Sequence, residues 1–130
     1  MQMLLPEGWK RPSGYAAGIA AEGRMVFTAG IIGWNSQEEF ESDTFGGQLR
    51  QALISIRDIL AEGGAKPEHL VRMTWYITDK AEYQASLREI GTAWGEVLGK
   101  VFPTMAVIEV KGLLEPRAKI EIEATAVVPS

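Results

Sequence analysis

The sequence contains no cysteine and only one histidine among its 130 residues. The absence of cysteine excludes disulfides, thiolate metal sites and a cysteine nucleophile, and it suits a reducing compartment such as the cytoplasm. The single histidine, His69, follows a Pro-Glu turn and belongs to no motif. The chain therefore offers no histidine pair for metal binding or for the acid–base chemistry of a ribonuclease.

Long apolar runs and positive charge are also scarce. No segment approaches the ~20 apolar residues that a membrane-spanning helix needs, and residues 1–14 contain no apolar core of signal-peptide length. The formal net charge is −4 and the isoelectric point is near 5.0. Because neutralisation of phosphates supplies most of the affinity for nucleic acid, we expect a soluble cytoplasmic protein that binds neither nucleic acid nor membrane.

Motifs for cofactors and metals are missing as well. The glycines of the first third do not open a helix, so dinucleotide-binding and phosphate-loop interpretations fail at Gly14, Gly18, Gly30 and Gly33. There is no His-Glu-x-x-His motif, no acidic cluster at metal-ligand spacing and no serine elbow. We therefore expect neither a cofactor nor a metal.

What the chain does contain is the composition of one globular domain, which we place at residues 1–130. Hydrophobic residues make up 46% and charged residues 23%, which is enough for a buried core. No repeat, linker or low-complexity segment interrupts it. Residues 1–14 contain proline and glycine and are expected to wrap the surface.

Two amphipathic helices stand out. The first has one apolar stripe at helical spacing, formed by Phe45, Leu49, Ala52, Leu53, Ile56, Ile59 and Leu60. Thr44 and its two predecessors are candidate N-caps, and Gly63-Gly64 can end the helix. The second helix is predicted after Asp79 in a cap position and ends near Gly99; its apolar face comprises Tyr83, Leu87, Ile90, Trp94, Val97 and Leu98.

Strands are predicted on both sides of these helices. Residues 15–21 and 24–29 are apolar runs separated by Glu22-Gly23, which is a hairpin signal, and residues 33–43 form an acidic loop or a short edge strand. After the first helix, residues 69–78 are rich in β-branched and aromatic side chains and are typical of a strand.

The last two strands are predicted over residues 104–110 and 117–128. The final one alternates strictly, with Ile120, Ile122, Ala124 and Ala126 on one face and Lys119, Glu121, Glu123 and Thr125 on the other. A period of two therefore places two carboxylates on the same face of a sheet.

The element order is β-β-(β)-α-β-α-β-β, an α+β arrangement. Two helices of similar length can cover one face of a single mixed sheet. A chain of 130 residues has no third layer for the other face. We expect self-association to bury that face.

Six segments, in this order and spacing, resemble one known family: GYAAGI, VFTAGIIGW, QLRQALISIRDILAEGGA, VRMTWYITD, FPTMAVIEV and KIEIEATAVV. The family is the Rid family (YjgF/YER057c/UK114) of small enamine/imine deaminases, and the similarity runs from about Gly14 to Val128. The resemblance implies a chorismate-mutase-like fold, and a homotrimer with clefts between subunits that bind a small metabolite.

The resemblance also implies site residues, position by position. Tyr15 matches a tyrosine that lines the cleft. Ala29 and Gly30 match a small pair that offers backbone contacts, and Ile31 stands where a glutamine commonly follows. Glu121 opens the Glu-Ile-Glu triplet and matches the glutamate that holds the attacking water, so it is the candidate catalytic residue.

Two further positions depart from the family pattern. Met105 stands where an arginine of a Pro-x-Arg motif grips the substrate carboxylate, and the asparagine of the second helix is missing near Leu87 and Arg88. A carboxylate facing a thioether would be desolvated without compensation, at a cost of several kcal/mol. Three alternatives follow: the ligand is less polar at this end, the cleft binds a ligand without catalysis, or another cation takes the place of the missing arginine clamp. The candidate cations are Arg11, Arg72, Arg88 and Arg117.

The aromatic residues favour a less polar ligand. A pocket lined by Tyr15, Trp34 and Met105 would suit a larger, flat or aryl-bearing molecule. The leading prediction is hydrolytic deamination of a reactive enamine or imine with a less anionic substrate, in which Glu121 orients water. The alternative is a catalytically silent trimeric protein that binds a small metabolite. A ribonuclease comes only from the family's older name, and the acidic charge opposes it.

Overall fold

The computed structural model describes all 130 residues and consists of seven strands and three α-helices. The strands are β1 (Gln2–Leu4), β2 (Gly18–Ala20), β3 (Arg24–Phe27), β4 (Ile31–Ile32), β5 (Leu70–Ile77), β6 (Thr104–Glu109) and β7 (Ile120–Val128). The helices are α1 (Phe45–Glu62), α2 (Lys80–Ala85) and α3 (Leu87–Val97). None of these helices combines the length and the apolar character needed to cross a membrane.

The main sheet is mixed and has the order β3-β7-β5-β6, with β4 also paired to β7. Strands β3, β4 and β5 run antiparallel to β7, and β6 runs parallel to β5. A parallel pair requires a long crossover, and α2 and α3 supply it. The sheet with its helices on one face confirms the predicted α+β class.

Helix α1 is stabilised because its apolar stripe is buried against the sheet. Thr44 caps the helix by accepting a hydrogen bond from the backbone N–H of Gly47. Six residues of the predicted stripe are buried, but Ile59 is 38% exposed and lies outside the core; the buried six are Phe45, Leu49, Ala52, Leu53, Ile56 and Leu60. They pack against the even-numbered face of β7, from Ile120 to Ala126.

The predicted second helix is interrupted at Ser86, which was not anticipated. The Ser86 hydroxyl donates to the carbonyl of Glu82 at 2.8 Å, and such a bond to the preceding turn bends or ends a helix. Its apolar face is also less buried than predicted. Val97 and Leu98 reach the core, whereas Leu87 is 55% exposed. The reason is that α2 and α3 face a cavity, described below.

The predicted hairpin between residues 15–21 and 24–29 is wrong. Strand β2 pairs with β1, and β3 pairs with the end of β7, where Arg24 is opposite Val128. Val26 packs against the core from this position, so β7 offers β3 a buried partner that β2 does not. Residues 1–14, expected only to wrap the surface, contain strand β1.

The face of the sheet opposite the helices is not covered by any element of the chain. Strand pairing places Arg72, Thr74 and Tyr76 of β5 on this open face beside Thr125, Glu123 and Glu121 of β7. Phe27 of β3 lies at its edge and is 62% exposed. The open face therefore mixes charged, polar and large apolar side chains.

Candidate functional site

Glu121 and Gly30 are in direct contact on the open face. A β-carbon added to Gly30 would lie 2.8 Å from the Cδ atom of Glu121, and closer still to its Oε2 atom. Glycine therefore makes room for this carboxylate. The structure thus brings together two residues that the sequence assigned to one site, although 91 positions (121 − 30) separate them.

Hydrogen bonds of Thr28 hold the short connection between β3 and β4, which contains Gly30. The backbone N–H of Thr28 donates to the carbonyl of Ala124 at 2.9 Å, and its hydroxyl accepts from the N–H of Ala124 at 3.1 Å. The same hydroxyl donates to the carbonyl of Ala29 at 2.8 Å. Ile31 then pairs with Ile122 and turns toward the core, so it does not share the open face with Glu121.

The two carboxylates of β7 have different surroundings. Glu123 accepts a hydrogen bond from the hydroxyl of Tyr76 at 2.9 Å. This bond, with burial and the negative charges of Glu123 and Glu121, raises the pKa of Tyr76 above its ordinary value, while Arg72 opposes the shift. The Glu121 carboxylate has no hydrogen-bond or ion-pair partner in the chain. Glu121 is therefore free to accept hydrogen bonds from water or a ligand.

Tyr15 and Met105 lie together in a second place, a cavity of about 510 Å³. The backbone N–H of Ala16 donates to the carbonyl of Pro103 at 3.1 Å, and Ala16 forms a bridge with Thr104. These contacts fix Tyr15 beside the start of β6. The cavity lies between helices α2 and α3 and the strands β5 and β6, of which β6 is at the edge of the sheet.

The walls of this cavity are almost entirely apolar. Nine of its twelve lining residues are hydrophobic and none is charged; the largest are Tyr15, Trp75, Tyr83, Trp94, Phe102 and Met105. The indole N–H of Trp94 donates to the carbonyl of Val101 at 3.2 Å. The indole N–H of Trp75 is buried and has no acceptor. The sequence predicted Tyr15 and Met105 in one pocket but not the aromatic walls that Trp75, Tyr83, Trp94 and Phe102 add, because only strand pairing and helix packing bring these residues together.

The Glu121 site and the cavity lie on opposite faces of the sheet. Met105 is paired with Met73, whose side chain is in the core, whereas Glu121 is paired with Tyr76 on the open face. A single bound molecule therefore cannot contact Glu121 and Met105 of the same protomer. If they act together, the two parts must come from two subunits.

Trp34 lies neither beside Glu121 nor in the cavity of Tyr15 and Met105. Its ring lies 5.7 Å from that of Phe40 at a tilt of 52°, and both residues line a shallow polar groove with Arg117. The guanidinium of Arg117 lies 4.9 Å from the centre of the Phe40 ring and 2.6 Å from a carboxylate oxygen of Asp43. Within one protomer, Trp34 therefore helps to hold the loop before α1 and is separate from Tyr15 and Met105.

No arginine lines the cavity of Tyr15 and Met105. Arg11 lines the adjoining groove, which also includes Tyr15. Arg72 lies on the open face beside Glu123, and Arg88 lines a groove at the start of α1. Within the protomer, the position of the missing clamp has no substitute cation. His69 also plays no part here, since its Nδ1 atom accepts from the backbone N–H of Lys66 at 3.0 Å.

Comparison with known proteins gives a consistent result. A family model described as Endoribonuclease L-PSP matches residues 10–128. A RutC family protein of Aquifex aeolicus is 32% identical over 113 residues, which is 87% of each chain.

Solved structures share the fold over nearly the whole chain. The Rid-family protein YyfB of Yersinia pestis, of unknown function, superposes with a TM-score of 0.84 at 28% identity, covering 98% of each chain. TdcF of Escherichia coli, solved with bound serine, gives a TM-score of 0.71 at 26% identity over 98% of this chain and 99% of its own. These similarities confirm the fold that the sequence motifs implied.

Proposed function

Because this chain belongs to the Endoribonuclease L-PSP family, also called the Rid or YjgF/YER057c/UK114 family, we propose that it is a hydrolytic deaminase of a reactive enamine or imine. Its substrate is less anionic than a 2-iminoacid. The observation that carries this proposal is the Glu121 carboxylate, which lies against Gly30 on an uncovered face without a partner.

The chemistry needs one positioned carboxylate. An enamine first takes up a proton at carbon from water and loses an N–H proton to water, which gives the imine tautomer. Water then adds its oxygen to the imine carbon while Glu121 accepts a water proton and passes it to the nitrogen. The resulting carbinolamine transfers its hydroxyl proton to the nitrogen as the carbon–nitrogen bond breaks, which gives a carbonyl compound and ammonia. A positioned general base of this kind contributes about 10²–10⁴-fold to the rate.

A homotrimer would combine the two separated parts of the site. In this arrangement, the cavity with Tyr15 and Met105 on one subunit opens toward Glu121 on its neighbour. Contact between subunits would also cover the open face, where Phe27 and Met25 are 62% and 57% exposed. Large apolar groups exposed together are typical of a surface that binds a partner.

The substrate preference follows from Met105. The Escherichia coli relative was solved with bound serine, which supports an amino compound as the ligand here. In this chain, no charged residue lines the cavity, so an ionised carboxylate placed there would lose its hydration without gaining a cation. The proposed substrate therefore has an uncharged group at this end.

The test is ammonia release from freshly generated 2-aminoacrylate and from bulkier, uncharged enamines. We expect turnover of the bulkier substrates and a loss of about 10²-fold or more in Glu121→Gln. Glu123→Gln is the matched control, because Glu123 lies on the same face two residues away and is bonded to Tyr76. Rates equal to buffer for every substrate would remove the deaminase proposal.

The uncharged cavity also favours a second candidate, a metabolite-binding protein without turnover. Ligands that bind only the folded protein raise its melting temperature, and the stabilisation grows with the logarithm of the ligand concentration divided by its Kd. Stabilisation by a ligand that is never converted, together with the same stabilisation in Glu121→Gln, would support this candidate. Ammonia release that depends on Glu121 would contradict it.

A further inference from the structure

The groove that adjoins the cavity, here called the Arg11 groove, is a separate concavity of about 430 Å³ that the deaminase proposal does not use. Seven of its ten lining residues are hydrophobic. Four large ones, Met3, Leu4, Leu5 and Phe102, are each at least 40% exposed. Large apolar side chains that are exposed together are typical of a binding surface.

Two glycines shape this groove. Gly18 lets strand β1 lie close to β2, because a β-carbon added to Gly18 would lie 3.3 Å from the β-carbon of Leu4. Gly14 has a φ of +82°, a conformation that glycine adopts most easily, and it turns the chain between Pro12 and Tyr15. Backbone geometry therefore brings the segment of Arg11 and the apolar strand β1 to the same groove.

Arg11 is the only charged residue that lines the groove. The four ion pairs of the chain involve other side chains, so the Arg11 guanidinium has no carboxylate partner. A guanidinium offers two parallel N–H donors that match one carboxylate. One positive charge beside an apolar wall therefore complements an amphipathic molecule that carries a single negative charge.

We propose that the Arg11 groove binds an amphipathic monocarboxylate, such as a medium-chain fatty acid, with its carboxylate on Arg11 and its chain against Leu4, Leu5 and Phe102. This binding does not rest on the proposed function. The groove and the cavity share Tyr15 and Phe102, but no charged residue lines the cavity. Only the groove should therefore select a ligand by the charge of its head group.

Three probes with the same alkyl chain separate charge from apolar contact. Octanoate is an anion, octanol is neutral and octylammonium is a cation, and calorimetric titration below their aggregation concentrations measures each affinity. We expect octanoate to bind saturably and about tenfold or more tightly than octylammonium. Added salt should weaken octanoate and leave octanol unchanged, because salt screens exposed charges.

Substitution of Arg11 tests the head-group contact. Arg11→Gln should weaken octanoate by about threefold to tenfold and leave octanol unchanged. Arg11→Glu should reverse the preference, so that octylammonium binds more tightly than octanoate. Lys10→Gln is the matched control, because Lys10 is the neighbouring cation and does not line the groove. It should leave the affinity for octanoate unchanged.

A blocking variant with two controls locates the chain of the ligand. Ala17 and Ala20 are both exposed, but only Ala17 lines the groove. We expect Ala17→Phe to lower octanoate affinity about tenfold or more and Ala20→Phe to leave it unchanged. Gly91 lines the cavity and not the groove, so Gly91→Leu should also leave octanoate binding unchanged. Thermal unfolding checks that each variant is folded.

The outcomes separate this inference from its rivals. No saturable binding of octanoate to the wild-type protein, or an equal loss in Arg11→Gln and Lys10→Gln, would overturn it. A preference for octanoate that survives Arg11→Glu would overturn it too. Loss of octanoate binding in Gly91→Leu but not in Ala17→Phe would place the ligand in the cavity and contradict the groove. Octanoate binding that depends on Arg11, in a protein that releases no ammonia from any enamine, would keep the groove and remove the deaminase.

Discussion

The contact between Gly30 and Glu121 makes Gly30→Ala the most informative substitution in the chain. Gly30 does not have a positive φ, so alanine can adopt its backbone conformation. The new β-carbon would lie 2.8 Å from Cδ and 3.2 Å from Cγ of Glu121. Carbon atoms in good contact are about 3.5–4.0 Å apart, so the carboxylate must move by about 1 Å.

This displacement should affect activity far more than stability. The atoms that must move belong to the end of a flexible side chain, so we expect the free energy of unfolding to change by less than about 1 kcal/mol. A misplacement of about 1 Å in a reacting group lowers the rate by about 10²-fold, which is about 2.7 kcal/mol in the barrier. Steady-state ammonia release and thermal unfolding measure the two effects.

Combination with Glu121→Gln shows whether Gly30 acts through the carboxylate. If it does, Gly30→Ala should reduce kcat/KM in the wild-type background and cause no further loss in the Glu121→Gln background, because both substitutions act on the same group. Gly95→Ala, which adds a methyl group in open space on α3, should retain wild-type activity. Full activity in Gly30→Ala would refute the assignment of the Glu121 carboxylate to the site.

The remaining predictions concern charge and packing. The raised pKa of Tyr76 means that its protonated hydroxyl contributes stability at pH values below the unfolded pKa near 10, and that this contribution is lost as the pH rises through the folded pKa. The ultraviolet titration that is lost in Tyr76→Phe should lie above the ordinary range of a tyrosine, and Glu123→Ala should bring it back toward that range; a Tyr76 titration within the ordinary range would contradict the hydrogen bond. Met105→Arg should create turnover of 2-iminoacids and weaken the binding of uncharged aryl ketones; unchanged preference would show that position 105 does not select the substrate. Leu53→Ala, at a position without exposed surface, should lower the unfolding free energy by about 2–5 kcal/mol in chemical denaturation, and a loss below 1 kcal/mol would contradict its place in the core.

Regular periodicity made much of the fold predictable. The stripe of α1 and the alternation of β7 are strong local patterns, and both occur because one face of each element is buried against the other. The order of elements then led to a mixed sheet with one open face. The family motifs assigned Glu121 and Gly30 to one cleft, but their direct contact was not predicted, because it depends on strand pairing that no local pattern specifies.

The errors came from contacts between distant segments. The turn at Glu22-Gly23 looked like a hairpin, but β3 gains a buried partner in β7 and β2 pairs with β1 instead. The second helix had a clear apolar stripe, yet that stripe faces a cavity and is interrupted at Ser86. Within one protomer, Trp34 packs against Phe40 beside Arg117 and away from Tyr15, and its place in a pocket between subunits stays a prediction.

The central claim is that the Glu121 site of one subunit and the cavity of another form one active site. The most direct test mixes two inactive variants, which are partially unfolded and refolded together. Glu121→Gln removes the carboxylate, and Gly91→Leu fills the cavity, because Gly91 lines it and a β-carbon there would meet no atom within 4 Å. Each variant alone should be nearly inactive. In randomly mixed trimers, about one quarter of the interfaces pair an intact Glu121 with an intact cavity, so we predict recovery of about one quarter of wild-type ammonia release. Activity of the mixture that does not exceed the sum of the two separate variants would contradict a site shared between subunits.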